Sequence, residues 1–103
     1  GNVYFIDYLG NSKRLNSNVY NITTITSQTT LSDDDYIIAE GVLNYLITLP
    51  QASLKKGHVY IIKTTGGDKT ISNYVSLNNT VSNALASGFI TTLVSDGVNW
   101  QQF

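Results

Sequence analysis

Apolar and polar positions along this chain alternate with the period of two that a half-buried strand requires, and turn residues separate the alternating stretches. The densest apolar stretch is Leu46 to Lys63. A strand from Leu46 to Leu49 stops at Pro50, a polar bridge follows, and Gly57 opens a second strand. That second strand carries Val59-Tyr60-Ile61-Ile62, apolar at four consecutive positions, which predicts a strand covered on both faces and places it at the centre of the core.

The other segments follow the same rule. Val3 to Leu9 predicts an aromatic strand, with Val3, Phe5 and Asp7 on one face and Tyr4, Ile6 and Tyr8 on the other, and Gly10 to Lys13 supplies a turn. Leu15 to Ser27 predicts a strand with one polar face, and Leu31 to Asp35 interrupts the pattern. Tyr36 to Glu40 and Tyr45 to Leu49 read as a hairpin through Gly41 to Asn44, with Ile37, Ala39, Ile47 and Leu49 in the core. Thr65-Gly66-Gly67-Asp68 predicts a hairpin turn into a strand from Thr70 to Leu77, and Asn78-Asn79 a further turn. Val81 to Ser87 is the only stretch that admits a helical reading, and at this length it is expected as a loop or one 3₁₀ turn. Phe89 to Val94 predicts a strand, and Asp96-Gly97 turns it into a last hairpin closed by Val98 to Phe103. About eight strands at this spacing predict an all-β fold, an antiparallel β-sandwich of jelly-roll-like form. No linker divides residues 1–103, so one domain is the simplest organisation.

Composition sharpens this picture. Asn, Ser and Thr supply about a third of the chain, Tyr is frequent, and Met is absent. Thr, Tyr, Val and Ile favour strands, whereas Asn, Gly, Asp and Ser favour turns. A chain of 103 residues can bury roughly 60–70% of the surface it exposes when unfolded. With no cysteine, neither a disulfide framework nor a thiolate metal site is possible. The net charge is −1, and the six Lys and Arg are scattered among seven acids, which argues against a nucleic-acid partner. No apolar run approaches the roughly 20 residues of a membrane-spanning helix, so no membrane insertion is expected. No signal peptide is expected within these residues, and a chain beginning Gly-Asn without Met reads as a fragment of something longer.

No catalytic motif stands out, and no cofactor is expected. His58, the sole histidine, has no Ser, Cys or second His at a useful spacing and is expected to be structural. Asp33-Asp34-Asp35 offers hard oxygens for calcium, but consecutive aspartates in a short turn diverge, so a solvated turn without metal is the expectation. Gly66 to Thr70 lacks the further glycines and the helix of a phosphate loop. Asp7, Glu40, Asp68 and Asp96 are scattered and nominate no carboxylate pair for glycoside hydrolysis. Lys55-Lys56 reads as a solvated turn. Sugar binding needs an exposed aromatic for stacking beside amides or acids for hydroxyls. Tyr45 with Asn44, and Tyr74 with Asn73 and Asn78, have that character. The plainer reading of each Tyr is a ring covering a core edge with its hydroxyl in water.

From Thr29 onward the chain resembles a module recurrent in viral fibres, phage tail fibres and tailspikes. The pieces are Asp35-Tyr36-Ile37-Ile38, then Ile47-Thr48-Leu49-Pro50, then Gly57-His58-Val59-Tyr60-Ile61-Ile62-Lys63, and last Thr92-Leu93-Val94-Ser95-Asp96-Gly97-Val98-Asn99-Trp100. Each is common alone; their order and spacing together carry the resemblance. It implies a small β-sandwich at the distal end of a virion fibre, assembled as a homotrimer and helping to contact a host-surface glycan or protein receptor. Residues 1–28 lie outside the match and read as an N-terminal strand arm. The family often follows its final Trp with another aromatic, and here Gln101-Gln102 come first. The aromatic excess of Tyr4, Phe5, Tyr8, Tyr20, Phe89, Trp100 and Phe103 suits a subunit interface, and loops near 41–45, 64–69 and 73–80 suit a receptor. A monomeric carbohydrate-binding module of an adhesin or enzyme is the alternative, and a hydrolase is a third, weaker one.

Overall fold

In the computed structural model, residues 20–103 are described, and the expectations for Val3 to Leu9, for the turn at Gly10 to Lys13 and for the start of the following strand lie outside them. The alternating segments form nine strands: β1 (Ile22–Ile25), β2 (Thr29–Thr30), β3 (Tyr36–Ala39), β4 (Leu46–Thr48), β5 (Val59–Thr64), β6 (Lys69–Val75), β7 (Val81–Leu85), β8 (Ile90–Ser95) and β9 (Trp100–Gln102). A 3₁₀ turn spans Ala52–Leu54. The fold is all-β, as the alternation predicts. The strands join in one mixed sheet, in the order β1-β3-β5-β8-β9-β6-β4-β2 with β7 on β6, curled nearly into a barrel.

The direction of pairing departs from expectation. β1, β3 and β5 run parallel, as do β2, β4 and β6, and β9 joins β6 in parallel. Only β5–β8, β6–β7 and β8–β9 are antiparallel. The chain therefore winds three times between two halves of the sheet, through β1 and β2, β3 and β4, then β5 and β6. The hairpins expected at 36–49 and across Thr65 to Asp68 do not form, because each connection carries the chain from one half to the other, where it lies beside the preceding pass. The antiparallel sandwich is corrected accordingly: period-two alternation reports which residues face inward and is silent on the direction of the neighbour. The last hairpin, β8 to β9 around Asp96-Gly97, forms as expected. Val81 to Leu85 is a strand rather than a loop or 3₁₀ turn, since β6 offers it an open edge and antiparallel backbone partners.

Register stacks like on like. Ile37 lies beside Ile62 and then Thr91, Ile25 beside Ala39 and Thr64, and Ile47 beside Ile71, all inward. These residues, with Leu31, Leu49, Tyr60, Tyr74, Leu85, Leu93 and Trp100, form the core, and the four expected core positions are all in it. β5 is covered on one face only: Tyr60 and Ile62 are fully buried, while Val59 and Ile61 keep part of their surface in solvent. Its four consecutive apolar residues thus serve a core face and an outer face.

The corners between passes are tied by one side chain. Lys69 is 1% exposed, and its Nζ donates to the carbonyls of Gly41 and Gly67, each at 2.7 Å, with the Thr65 carbonyl farther off at 3.4 Å. The Tyr45 ring lies 5.1 Å from the same nitrogen. Corner stacking leaves no space for a side chain at Gly66, where a Cβ would sit 2.7 Å from the Gly41 carbonyl oxygen. Gly41 has the same left-handed backbone, with φ +99°, but open space around it.

Two outcomes follow for denaturant unfolding. Lys69→Met leaves two inward carbonyls without their donor and lowers stability by about 2 kcal/mol. Gly66→Ala and Gly41→Ala share the left-handed penalty of about 1–2 kcal/mol, and Gly66→Ala is expected to cost measurably more because only it collides with backbone.

Candidate functional site

The N-terminal ends of β3 and β5 open onto a groove of about 360 Å³, lined by Tyr20, Asp35, Tyr36, Gly57, His58, Val59 and Ile61. Register builds it. Ile22 of β1 pairs with Tyr36 of β3, which pairs with Ile61 of β5, so the three share one outward row. Tyr20 stands two residues before Ile22, and its ring meets Tyr36 edge-on, with centroids 5.4 Å apart and planes at 74°.

The acidic turn forms one rim, and its three carboxylates are separately engaged. Asp35 Oδ2 accepts the Asn21 backbone N–H at 2.9 Å, Asp34 accepts the Thr23 hydroxyl and the Ser32 N–H, and Asp33 pairs with Lys55 at 2.9 Å. The hydrogen bond and charge of Lys55, with a smaller contribution from His58, hold the Asp33 carboxyl below its usual range. Because that carboxylate is exposed, the pair contributes little to stability. Among the described residues no cluster of three or more His, Asp or Glu is arranged to hold a metal. The Lys55 side chain, expected to be solvated, is tied to this rim.

His58 contributes through its tautomer. Nε2 lies 2.8 Å from the Asp34 carbonyl oxygen, and a carbonyl only accepts, so Nε2 carries a proton and, in the neutral ring, Nδ1 is an acceptor. The imidazole packs on Tyr60 with centroids 4.5 Å apart. Tyr60 is fully buried beneath, donates to the Ser32 carbonyl, and lies 5.1 Å from the Trp100 ring. The Trp100 indole N–H in turn donates to the Pro50 carbonyl at 2.8 Å. Burial first, and then the negative charges of Asp34, Asp33 and Asp35, push the Tyr60 phenol up to about 12.

The residues proposed for sugar stacking do not converge. Tyr45 is half-buried, with its hydroxyl proton shared between the carbonyls of Ile25 and Glu40, each at 2.9 Å. Burial, and next the charge of Glu40, raise its phenol above the ordinary value. Asn44 accepts the Thr70 hydroxyl on the surface. Tyr74 is in the core, 6% exposed, and donates to the Ala84 carbonyl. Asn73 faces solvent on the opposite side of β6, and Asn78 lies in the turn before β7. Neither tyrosine presents a ring for stacking: each covers the core, and both hydroxyls find protein carbonyls instead of water. The groove gathers Tyr20, Asp35, Tyr36 and His58, and finding them in the sequence requires the parallel register of β1 with β3.

Comparison with protein-family models, with curated proteins and with solved structures finds no match to this chain.

The Tyr60 environment has a pH signature. A phenol raised above its ordinary value of 10.0 contributes stability that is whole below pH 10 and is lost as pH climbs through about 12. Stability measured by urea unfolding is therefore expected to fall between pH 10 and 12, with one tyrosine ionising late by ultraviolet absorbance. Tyr60→Phe flattens this alkaline limb while losing about 1 kcal/mol at neutral pH with the hydrogen bond to Ser32.

Proposed function

We propose that this chain is a structural module of a virion fibre or spike, assembled as a homotrimer, with a role in host attachment rather than catalysis. The observation that carries this reading is the apolar end opposite the groove. There the corner at Gly41 to Asn44 stacks on Gly66 and Gly67, the Asp68 carboxylate accepts the Ser87 N–H at 2.8 Å, and the Gly88 N–H donates to the Thr64 carbonyl. These ties hold Val42, Leu43, Phe89 and Ile90 at one end of the molecule, with Val42 81% and Phe89 65% exposed. Large apolar side chains on a braced frame favour burial against a second copy of the chain. Parallel passes stacked along one axis suit a rod-like assembly, and the order of motifs from Asp35 to Trp100 resembles that of fibre modules. Trp100 itself is a core residue, 4% exposed. The aromatics available for an interface among the described residues are Tyr20, Phe89 and Phe103.

The groove favours a second reading, a carbohydrate-binding module that acts as a monomer. Mass in solution separates the two. Light scattering coupled to size exclusion is expected to give a species three times the 11.3 kDa chain, persisting on dilution. Leu43→Ser with Phe89→Ser is expected to shift it to monomer without unfolding it, since both side chains are exposed. A wild-type chain that is monomeric at all concentrations would rule out the trimer and leave the monomeric module.

A further inference from the structure

We propose that the groove between Tyr20, Tyr36, Asp35 and His58 is a saccharide-binding site that takes an uncharged pyranose. The inference deepens the carbohydrate-binding reading of the groove, on which it rests, and does not depend on whether the chain self-associates. A sugar ring offers two surfaces, a face of C–H groups that packs on an aromatic ring and a rim of hydroxyls that need acceptors and donors. The groove presents both. Tyr20 is 57% exposed, and its edge-on contact with Tyr36 prevents the two faces from covering one another. Val59 and Ile61 extend the apolar wall.

The acceptors are fixed before any ligand arrives. Asp35 is oriented by the Asn21 N–H on Oδ2, which leaves Oδ1 to accept a hydroxyl. His58 is held by its Nε2–H on the Asp34 carbonyl and by Tyr60 beneath, so in the neutral ring Nδ1 is a second oriented acceptor. Gly57 adopts φ +86° with no atom within 4 Å of where a Cβ would lie, so this wall stays open to a ligand. The volume of about 360 Å³ lies near the lower end of small-molecule pockets, about 300–1,000 Å³, which suits one or two sugar rings.

Electrostatics selects the class. Asp35 lines the groove, Asp33 and Asp34 adjoin it in sequence, and among the described residues no lysine or arginine is in the lining. Of the two lysines that precede Gly57, Lys55 is paired with Asp33 and the Lys56 stem lies along Gly97. A sialic acid, uronic acid or sulfated sugar would meet the like charge of these carboxylates, whereas a neutral hexose or N-acetylhexosamine would not.

The test uses the 103-residue chain on an array of neutral and sialylated glycans. Titration of the best monosaccharide or disaccharide follows, read by amide NMR shifts. The expected result is retention of at least one neutral pyranoside, no retention of sialylated glycans, and shift changes centred on Tyr20, Asp35, Tyr36 and His58. Tyr20→Ala and Asp35→Asn are each expected to weaken binding at least tenfold. Asp35→Asn keeps an oxygen for the Asn21 N–H and turns the sugar-facing acceptor into a donor. Val42→Ser, at the far end, should leave binding unchanged. Amide spectra that superimpose away from the groove would establish that the variants fold. The proposal is overturned if no neutral glycan is retained, if sialylated glycans bind as well as neutral ones, or if neither groove variant weakens binding. A failed array with an intact trimer leaves the fibre reading standing, and the converse leaves the groove standing.

Discussion

The Lys69 ammonium is the constraint on which the winding of this chain depends. It is buried, pairs with no carboxylate among the described residues, and its positive charge is met by the carbonyl oxygens of Gly41 and Gly67 and the face of Tyr45. Those oxygens belong to corners of successive passes. A single point donor with three hydrogens can hold two converging carbonyls at once. With the corners locked one above the other, β3 is set beside β5 and β4 beside β6, and the inward rows of isoleucine, alanine and threonine come into register. The glycines at this corner have a steric reason, since a Cβ on Gly66 or Gly67 would press into the backbone of the pass below.

A second set of ties closes the opposite end. The Ser95 hydroxyl donates to the Ala52 carbonyl at 2.6 Å, the Trp100 indole donates to Pro50, and Tyr60 donates to Ser32. Each long-range bond joins a strand to an irregular connection, so the loops around the groove are anchored by core residues. Asp96 works locally: its carboxylate accepts the N–H groups of Asn99 and Val98 and the Gln101 amide, which hold its carboxyl below the usual range and shape the β8–β9 turn. The groove walls are therefore built in advance. That is the condition for a weak ligand such as a sugar to bind without a large ordering cost.

The two ends carry different groups. One exposes Val42, Leu43, Phe89 and Ile90 on a frame braced by Lys69; the other carries the three aspartates, His58 and the paired tyrosines. Large apolar side chains are exposed at the groove end too, at Leu54 and Val98, so the cluster around Val42 is set apart by the backbone ties beneath it rather than by exposure alone.

The all-β class, the core positions Ile37, Ala39, Ile47 and Leu49, the acidic turn and the final Asp-Gly hairpin were legible in the amino-acid order, because each depends on neighbours within a few residues. Strand direction was not. A four-residue link with glycines serves equally as a hairpin or as a corner between halves of a sheet, and the choice rests on the buried Lys69 and on which edge the preceding pass leaves open. The roles of Tyr45 and Tyr74 were likewise undecided locally, since a Tyr beside an Asn looks the same whether its hydroxyl meets a sugar, water or the carbonyls of Glu40 and Ala84. The groove depends on register still more directly. Tyr20, Tyr36 and His58 are distant in the chain and become neighbours only when β1, β3 and β5 align in parallel, a relation that tertiary packing alone decides.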